Sequence, residues 1–575
     1  MDRLLGESGV DTIVAISTPP GRGGIGIVRL SGPAALEIAG QLVTMERPLE
    51  HARARRVRVV DMEDRGKIID DAVVTAFLET RSYTGETVVE IAAHGSPVVL
   101  EAMVRGALAE GARMGLAVRL ARPGEFTQRA FLAGRLVTVE RPLEHARARR
   151  VRVVDLANVE AAGQASTIDD AVVTAFLGTR SYTGDTVVEI AAHGSPVVLE
   201  AIVRGALELG AQMGLAVRLA RPGEFTQRAF LAGRIDLTQA EAVGDLIAAQ
   251  TLEQARVAAQ QMGGAIARRV TPAKGELLHL IALLEAGMDF ASGELDDVEI
   301  VPPTMIARMI ESVERPLAEL AASFRRGQLL RNGAAIALIG PPNAGKSSLF
   351  NRLLERERAI VTPLPGTTRD TVEESLALGG IPLRLIDTAG LRGGAEAGEM
   401  DVAEVQGIAR SREALADADL VLLIHDATLA VTVGELRLEA SVGGRPHLVV
   451  YNKVDLLVDE GELVDETELG GGAAIRTSAL TGEGLAALRE AILAQLGAAG
   501  SLAESGALNN FRQQEAVGST LAALSAAAAA NDSGLPHELI LMDLHRALQA
   551  LDSLTGETTP DDILARIFAT FCIGK

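Results

Sequence analysis

The segment Gly340-Pro-Pro-Asn-Ala-Gly345-Lys346-Ser347-Ser348 follows the apolar run Ala335–Ile339 and precedes a helical pattern from Leu349 to Leu354. Strand, glycine-bounded loop and helix start suit a phosphate: the glycines let backbone N–H groups turn inward, and the helix end adds positive charge. Lys346 then neutralises the β- and γ-phosphates and the Ser347 hydroxyl ligates Mg2+, with Asn343, Ala344, Gly345 and Ser348 in the same loop. Four further stretches follow in order. Gly366-Thr367-Thr368-Arg369-Asp370 offers Thr368 as a Mg2+ ligand that senses the γ-phosphate. The strand-like run from Leu383 ends in Asp387-Thr388-Ala389-Gly390, an aspartate for the metal-bound water and a Gly390 N–H for the γ-phosphate. In Val449–Asp455, Asp455 accepts from guanine N1–H and N2–H2, which adenine lacks, while Asn452 braces the base beside Lys453. Ser478-Ala479-Leu480 reaches guanine O6. Each stretch alone is an ordinary strand-end loop. All five in this order imply a GTP-binding domain, with Lys346 and Asp387 at its catalytic centre.

Leu391 stands where Ras-like GTPases place a water-orienting glutamine, and a leucine cannot orient water by hydrogen bonding. Asn343, inside the phosphate loop, has an amide oxygen able to hold a monovalent cation against the phosphates. K+ there supplies the charge that an arginine finger brings elsewhere. The competing reading of Asn343 is a hydrogen bond that braces the loop.

The elements around this site follow from periodicity. Apolar strands alternate with helices from Gly333 to about Gly497, a parallel-sheet α/β pattern. Ile235 to Gly287 reads as helix, Pro302-Pro303 breaks it, and Thr304 to Leu330 is helical again. Helix returns over Phe511–Ala530, Leu535–Leu551 and Pro560–Phe571. The α/β domain (331–500) thus reads as inserted into an all-α domain split between 235–330 and 501–575. Thr12–Ile16 and Ile25–Leu30 read as strands and Ala34–Leu42 as helix, the start of an α+β domain reaching 234. The expected class is multidomain, α+β and α/β.

A net charge of −21 disfavours strong, non-specific binding to nucleic acid, so a nucleic-acid substrate falls to a partner. The basic run Arg53–Arg58 and its repeat at Arg147–Arg152 read as solvated faces rather than an RNA site. The single cysteine, Cys572, excludes an intramolecular disulfide framework. With no signal-peptide pattern at Met1–Glu7 and no membrane span, a cytoplasmic protein is expected.

One feature is unusual: Leu42–Arg135 recurs as Leu136–Arg234. Ser82-Tyr-Thr-Gly-Glu86 returns as Ser181-Tyr-Thr-Gly-Asp185, His94–Pro97 as His193–Pro196, and Arg122–Arg135 as Arg221–Arg234. Two near-identical segments cannot fill one slot in one core. Either this is a tandem duplication or sequence artefact, or it is a two-lobed domain. Repeat arrays usually hold at least three diverged units, which favours the accident. The surplus repeat is expected to pack poorly.

Together these residues resemble the tRNA uridine-modification GTPases, the MnmE (or TrmE) family, over nearly all of the chain except one repeat. The most specific pieces are Thr18-Pro-Pro-Gly-Arg-Gly-Gly-Ile-Gly-Ile-Val-Arg-Leu-Ser-Gly32, the Pro-Gly-Glu-Phe-Thr-Gln-Arg-Ala-Phe segment running into Asp236–Ala242, the Gly366–Asp370 loop and the terminal Phe571-Cys-Ile-Gly-Lys575. The resemblance implies a folate-binding N-terminal domain that forms a homodimer, a discontinuous helical domain and an inserted Ras-like GTPase domain. It implies K+-dependent hydrolysis by transient pairing of two GTPase domains, with Asn343, Thr362, Leu364 and Thr367 holding K+ and Glu404 orienting water. Gly393–Gly398 makes the segment before Glu404 longer than the family's. It further implies a heterotetramer with an FAD-dependent partner (MnmG, or GidA) that carries most of the tRNA contact. The reaction adds an aminomethyl or carboxymethylaminomethyl group to C5 of wobble uridine, U34. A 5-formyl- or 5,10-methylene-type tetrahydrofolate supplies the one-carbon unit. By matching position, folate falls to Arg29, to Glu90 or Glu189, to Arg135 or Arg234, and to Lys575. Arg234 is favoured because it runs directly into Ile235-Asp236-Leu237. The alternatives are a ribosome-assembly-type regulatory switch, in which Arg29 and Lys575 have no purpose, and an inactive duplication product.

Overall fold

The structure is a computed structural model. It describes residues 11–19, 21–44, 49, 52–62, 64, 67–78, 82, 84, 86–123, 125–126, 129, 149–159, 165–291, 301–341, 343–357, 373–387, 418–442, 444–457, 474–497, 506–557, 564, 567–569 and 571. The chain forms two compact units, Met1–Ile306 with Ala526–Lys575, and Ala307–Ser525.

In the first unit, β1 (Thr12–Ile16), β2 (Gly23–Ser31), β3 (Val43–Thr44), β4 (Arg55–Val60), β5 (Ile68–Phe77), β6 (Val88–Gly95) and β7 (Val118–Leu120) form one sheet, ordered β3-β4-β5-β6-β2-β1-β7. Its strands pair antiparallel except β1 with β7. Burial alternates along β5, as a strand with one covered face requires. The cover is α1 (Ala35–Leu42) and α2 (Pro97–Arg113), which bring Ile38, Leu42, Leu100 and Met103 onto Val28, Leu30, Val74 and Ile91. Gly26 permits the approach: a Cβ there would lie 2.3 Å from a Leu100 methyl.

The first repeat therefore builds most of this sheet. The second builds a separate one: β8 (Arg149–Val159), β9 (Ala165–Phe176) and β10 (Val187–Ala191), in the order β10-β9-β8. The Val-Val-Glu-Ile-Ala-Ala-His-Gly sequence of β6 is identical to Val187–Gly194. Yet β2 pairs with β6, and β10 ends its sheet among the described residues. The helix that follows, α3 (Pro196–Gln212), keeps an exposed apolar face, Val197, Leu199 and Val203 included.

The predicted helical stretch after Arg234 resolves into α5 (Leu237–Ala248), α6 (Leu252–Met262) and α7 (Ala265–Ala291), preceded by α4 (Glu224–Leu231). Capping boxes explain two starts: Asp236 with Gln239, and Thr251 with Gln254, each satisfying two otherwise orphaned N–H groups. Phe230, Leu237, Val243 and Ile247 close on Phe568 and Phe571 from the C-terminal segment. The helix His537–Thr555 meets α7 through Lys274, which pairs with Asp552 at 2.7 Å.

In the second unit, β11 (Ala334–Ile339), β12 (Glu373–Leu378), β13 (Ile381–Asp387), β14 (Leu420–Asp426), β15 (His447–Asn452) and β16 (Ile475–Arg476) form a sheet ordered β12-β13-β11-β14-β15-β16. It is parallel except for the β12–β13 edge. Every residue of β11 and β14 is buried, and β11 and the first five residues of β14 are unbroken apolar runs. The chain leaves this sheet close to where it enters. Leu508 donates its backbone N–H to Ser323 Oγ at 3.1 Å, and Phe324 stacks edge-on against Phe511. No helix among the described residues is long and apolar enough to cross a membrane.

Candidate functional site

Open parallel sheets bind ligands outside the carboxyl ends of their strands. There the second unit gathers the phosphate loop after β11, Asp387 at the end of β13, Asn452 at the end of β15 and the Ser478 turn after β16. The phosphate loop needs two left-handed residues, Asn343 at φ 63° and Gly345 at φ 88°. At Gly345 only glycine fits, since a Cβ would lie 2.2 Å from Asn452 Nδ2. The Lys346 ammonium donates to the Gly340 and Pro341 carbonyls at 2.8 Å each and is buried. Ser347 and Ser348 are exposed on the first turn of α8 (Lys346–Glu357), and Asn343 is exposed in the loop.

Asn452 is a tie between two loops. Its buried amide donates from Nδ2 to Ala344 O and accepts at Oδ1 from Ala479 N–H, both at 3.0 Å. The bracing role expected of it is directed, in this structure, at the loops on either side. Lys453, at φ 69°, donates to Asp426 Oδ2 at 2.6 Å. Burial alone would raise the Asp426 pKa, but Lys453 and Thr428 outweigh it and hold the carboxyl below its ordinary value. Sequence reasoning missed Asp426. Its signal was an acidic residue closing the apolar run Leu420–His425, in register with Asn452. Asp455 is half-buried in the turn Val454–Leu456. Ser478 is buried and accepts the Thr481 N–H at 3.0 Å, so it shapes its turn, while Leu480 is exposed. Asp387 closes β13 beside Leu338 of β11. Its side chain lies outside the described residues, as do Thr362, Leu364, Thr367, Thr368, Thr388, Ala389, Gly390, Glu404, Arg135 and Lys575.

In the first unit the β2–β6 register sets Arg29 opposite Glu90, and the guanidinium reaches Glu90 Oε1 at 2.8 Å from Nε and 2.7 Å from the terminal nitrogen. The Arg29 cation also lies 5.5 Å from the centre of the Phe126 ring. Glu189, on β10, faces Thr174 instead. Of the two glutamates, Glu90 is thus the one that pairs with Arg29. Arg234 donates to Ser181 O at 2.9 Å, beside a cavity of about 440 Å³ also lined by Thr183, Asp185 and Arg228.

The family model described as the MnmE helical domain matches residues 237–572, and that of the GTP-binding protein TrmE N-terminus matches twice, at 12–135 and 137–234. A protein named tRNA modification GTPase MnmE from Koribacter versatilis is 42% identical over 573 residues, covering 98% of this chain and 99% of its own length. One of the same name from Listeria welshimeri is 34% identical over 568 residues, with 98% and 99% covered. Among solved structures, the G domain of the T. maritima FeoB iron transporter matches 28% of this chain and 98% of its own, at 30% identity and a TM-score of 0.21.

Proposed function

The chain belongs to the MnmE (TrmE) family of tRNA modification GTPases, and we propose that it is a K+-activated member acting on wobble uridine together with an FAD-dependent partner. As a member it hydrolyses GTP. The guanine-nucleotide part of this reading is supported by the tie made by Asn452, which joins the phosphate loop to the turn meant for the base, and the rest by the family. With Asp455 beside it, one hydrogen-bonded frame serves both ends of a guanine nucleotide.

Within that frame Lys346 offsets phosphate charge and Asp455 selects guanine over adenine. Ser347 and Thr368 are the residues that would hold Mg2+, which supplies charge neutralisation at the phosphates when bound. Asn343 suits a monovalent cation because its side chain is exposed in a loop whose left-handed backbone is already fixed. Thr362, Leu364 and Thr367 would complete that site, with Glu404 orienting the attacking water. In the first unit the Arg29–Glu90 pair presents a cation and a carboxylate side by side, the two charges that a folate's glutamate tail and pterin N–H groups require. Arg234 and Lys575 would add cations. The reading includes a homodimer through the N-terminal domain, a heterotetramer with the partner, tRNA held mainly by that partner, and a cytoplasmic location.

Steady-state GTP hydrolysis in equal concentrations of KCl and NaCl tests the catalytic part. We expect faster turnover in KCl, with Asn343→Ala removing the difference. Equal rates for the unmodified chain in both salts would overturn K+ activation.

A further inference from the structure

The second repeat repeats the binding surface of the first without its occupant. In the first, the hairpin β1–β2 (with Asp11 at its entry) pairs along β6, and Ile91 lies in the core that β2 shares with α1 and α2 at 0% exposure, whereas its counterpart Ile190 on β10 is 45% exposed. Leu100, beneath β2, is 4% exposed and its counterpart Leu199 is 42% exposed. The polar contacts tell the same story. Arg119 Nε and Arg129 clamp the Asp11 carboxylate at 2.5 and 2.6 Å, and Arg129 also donates to Asp11 O at 3.1 Å and to Glu86 at 2.8 Å. In the second repeat Arg218 holds Glu224 at 2.6 Å and Leu219 O at 2.9 Å. Arg228 reaches Glu224 at 2.9 Å and Asp185 at 3.6 Å. Among the described residues, the first clamp thus sets two arginines against Asp11, Glu86 and Glu125, and the second sets two against Asp185 and Glu224. Arg228 borders the cavity of about 440 Å³.

We propose that the second repeat is an open seat for the Asp11–Ser31 hairpin of another molecule of this chain, with β2 of that molecule along the β10 edge and its Asp11 carboxylate between Arg218 and Arg228. The occupant is identified by the first repeat, where an octamer of the same sequence is covered by this hairpin in a defined register. Charge agrees, since the second clamp carries one carboxylate fewer. Between whole molecules the donor gives up on its own first repeat what it gains on the other's second. The exchange is therefore near neutral and of the domain-swapping kind. A free hairpin gives up no earlier contacts, only its chain entropy.

The test titrates a fluorescent peptide of residues 8–33 onto the full chain, followed by anisotropy. We expect saturable binding of one peptide per chain, weakened about tenfold or more by Asp11→Asn in the peptide or Arg228→Ala in the chain. No saturable binding, or equal binding by the Asp11→Asn and shuffled peptides, overturns the proposal. Because Arg228→Ala also touches local packing, a crosslink supplies an independent reading. In a Cys572→Ser background, a Val28→Cys peptide activated as its 2-thiopyridyl disulfide should form a mixed disulfide with Ile190→Cys, releasing thiopyridone, and not with the out-of-register Val187→Cys. Crosslinking to Ile91→Cys instead would mean that the peptide displaces the resident hairpin, and the seat on the second repeat would be rejected.

Discussion

The two repeats are nearly the same sequence in two different burial states. In the first, Arg129 is 5% exposed and sits among three carboxylates; in the second, Arg228 is 52% exposed and has two partners. The local elements survive in both: paired strands, a proline-started helix of seventeen residues, and an arginine bound to the glutamate of the following turn. What differs is everything supplied from elsewhere in the chain. Local sequence sets the secondary structure of this domain, and its core depends on twenty-odd residues at the N-terminus that exist only once.

Paired substitutions press on that contrast. The largest difference is expected on the apolar face. Leu100→Ala should destabilise by about 2–4 kcal/mol and Leu199→Ala by under about 1 kcal/mol, read as shifts in the thermal midpoint. Next is the clamp. Arg129→Ala takes a buried guanidinium away from Asp11 and Glu125, which keep Arg119, and from half-buried Glu86, and should cost about 2–3 kcal/mol in urea unfolding, against about 1 kcal/mol or less for Arg228→Ala. Equal costs would mean that the second repeat is as well buried in solution as the first. The smallest difference is expected in acid. The Arg119 guanidinium holds the Glu125 carboxyl down to about 2, and Arg218 likewise drives Glu224 well below the usual range. Both folded values are depressed, so the stabilisation is complete above the unfolded value of about 4.5 and is lost as pH falls toward 2. Glu125→Gln and Glu224→Gln should each flatten the acid limb of a stability–pH curve by a similar amount. If only Glu125→Gln did so, the ion pair of the second repeat would be structurally idle.

How much was legible beforehand follows from the same division. The nucleotide loops were readable because each is a short contiguous stretch whose residue types answer to a local backbone need, as Gly345 does at φ 88°. Asp426 was not, since its meaning lies in Lys453, a neighbour only across the β14–β15 pairing. The repeat was plain in the sequence, but which glutamate faces Arg29 was not: Glu90 and Glu189 lie in identical octamers, and only long-range pairing separates them. The helical segments were located, and their breaks were missed where capping boxes rather than prolines set the boundary.

The tie at Asn452 has a thermodynamic consequence. One side-chain amide fixes Ala344 and Ala479 together, so ordering either loop lowers the entropy left to lose in the other. A nucleotide spanning both loops as proposed would then bind its two ends cooperatively, linkage making the gain equal in both directions, so that discrimination against a wrong base would be felt at the phosphates and loss of a phosphate at the base.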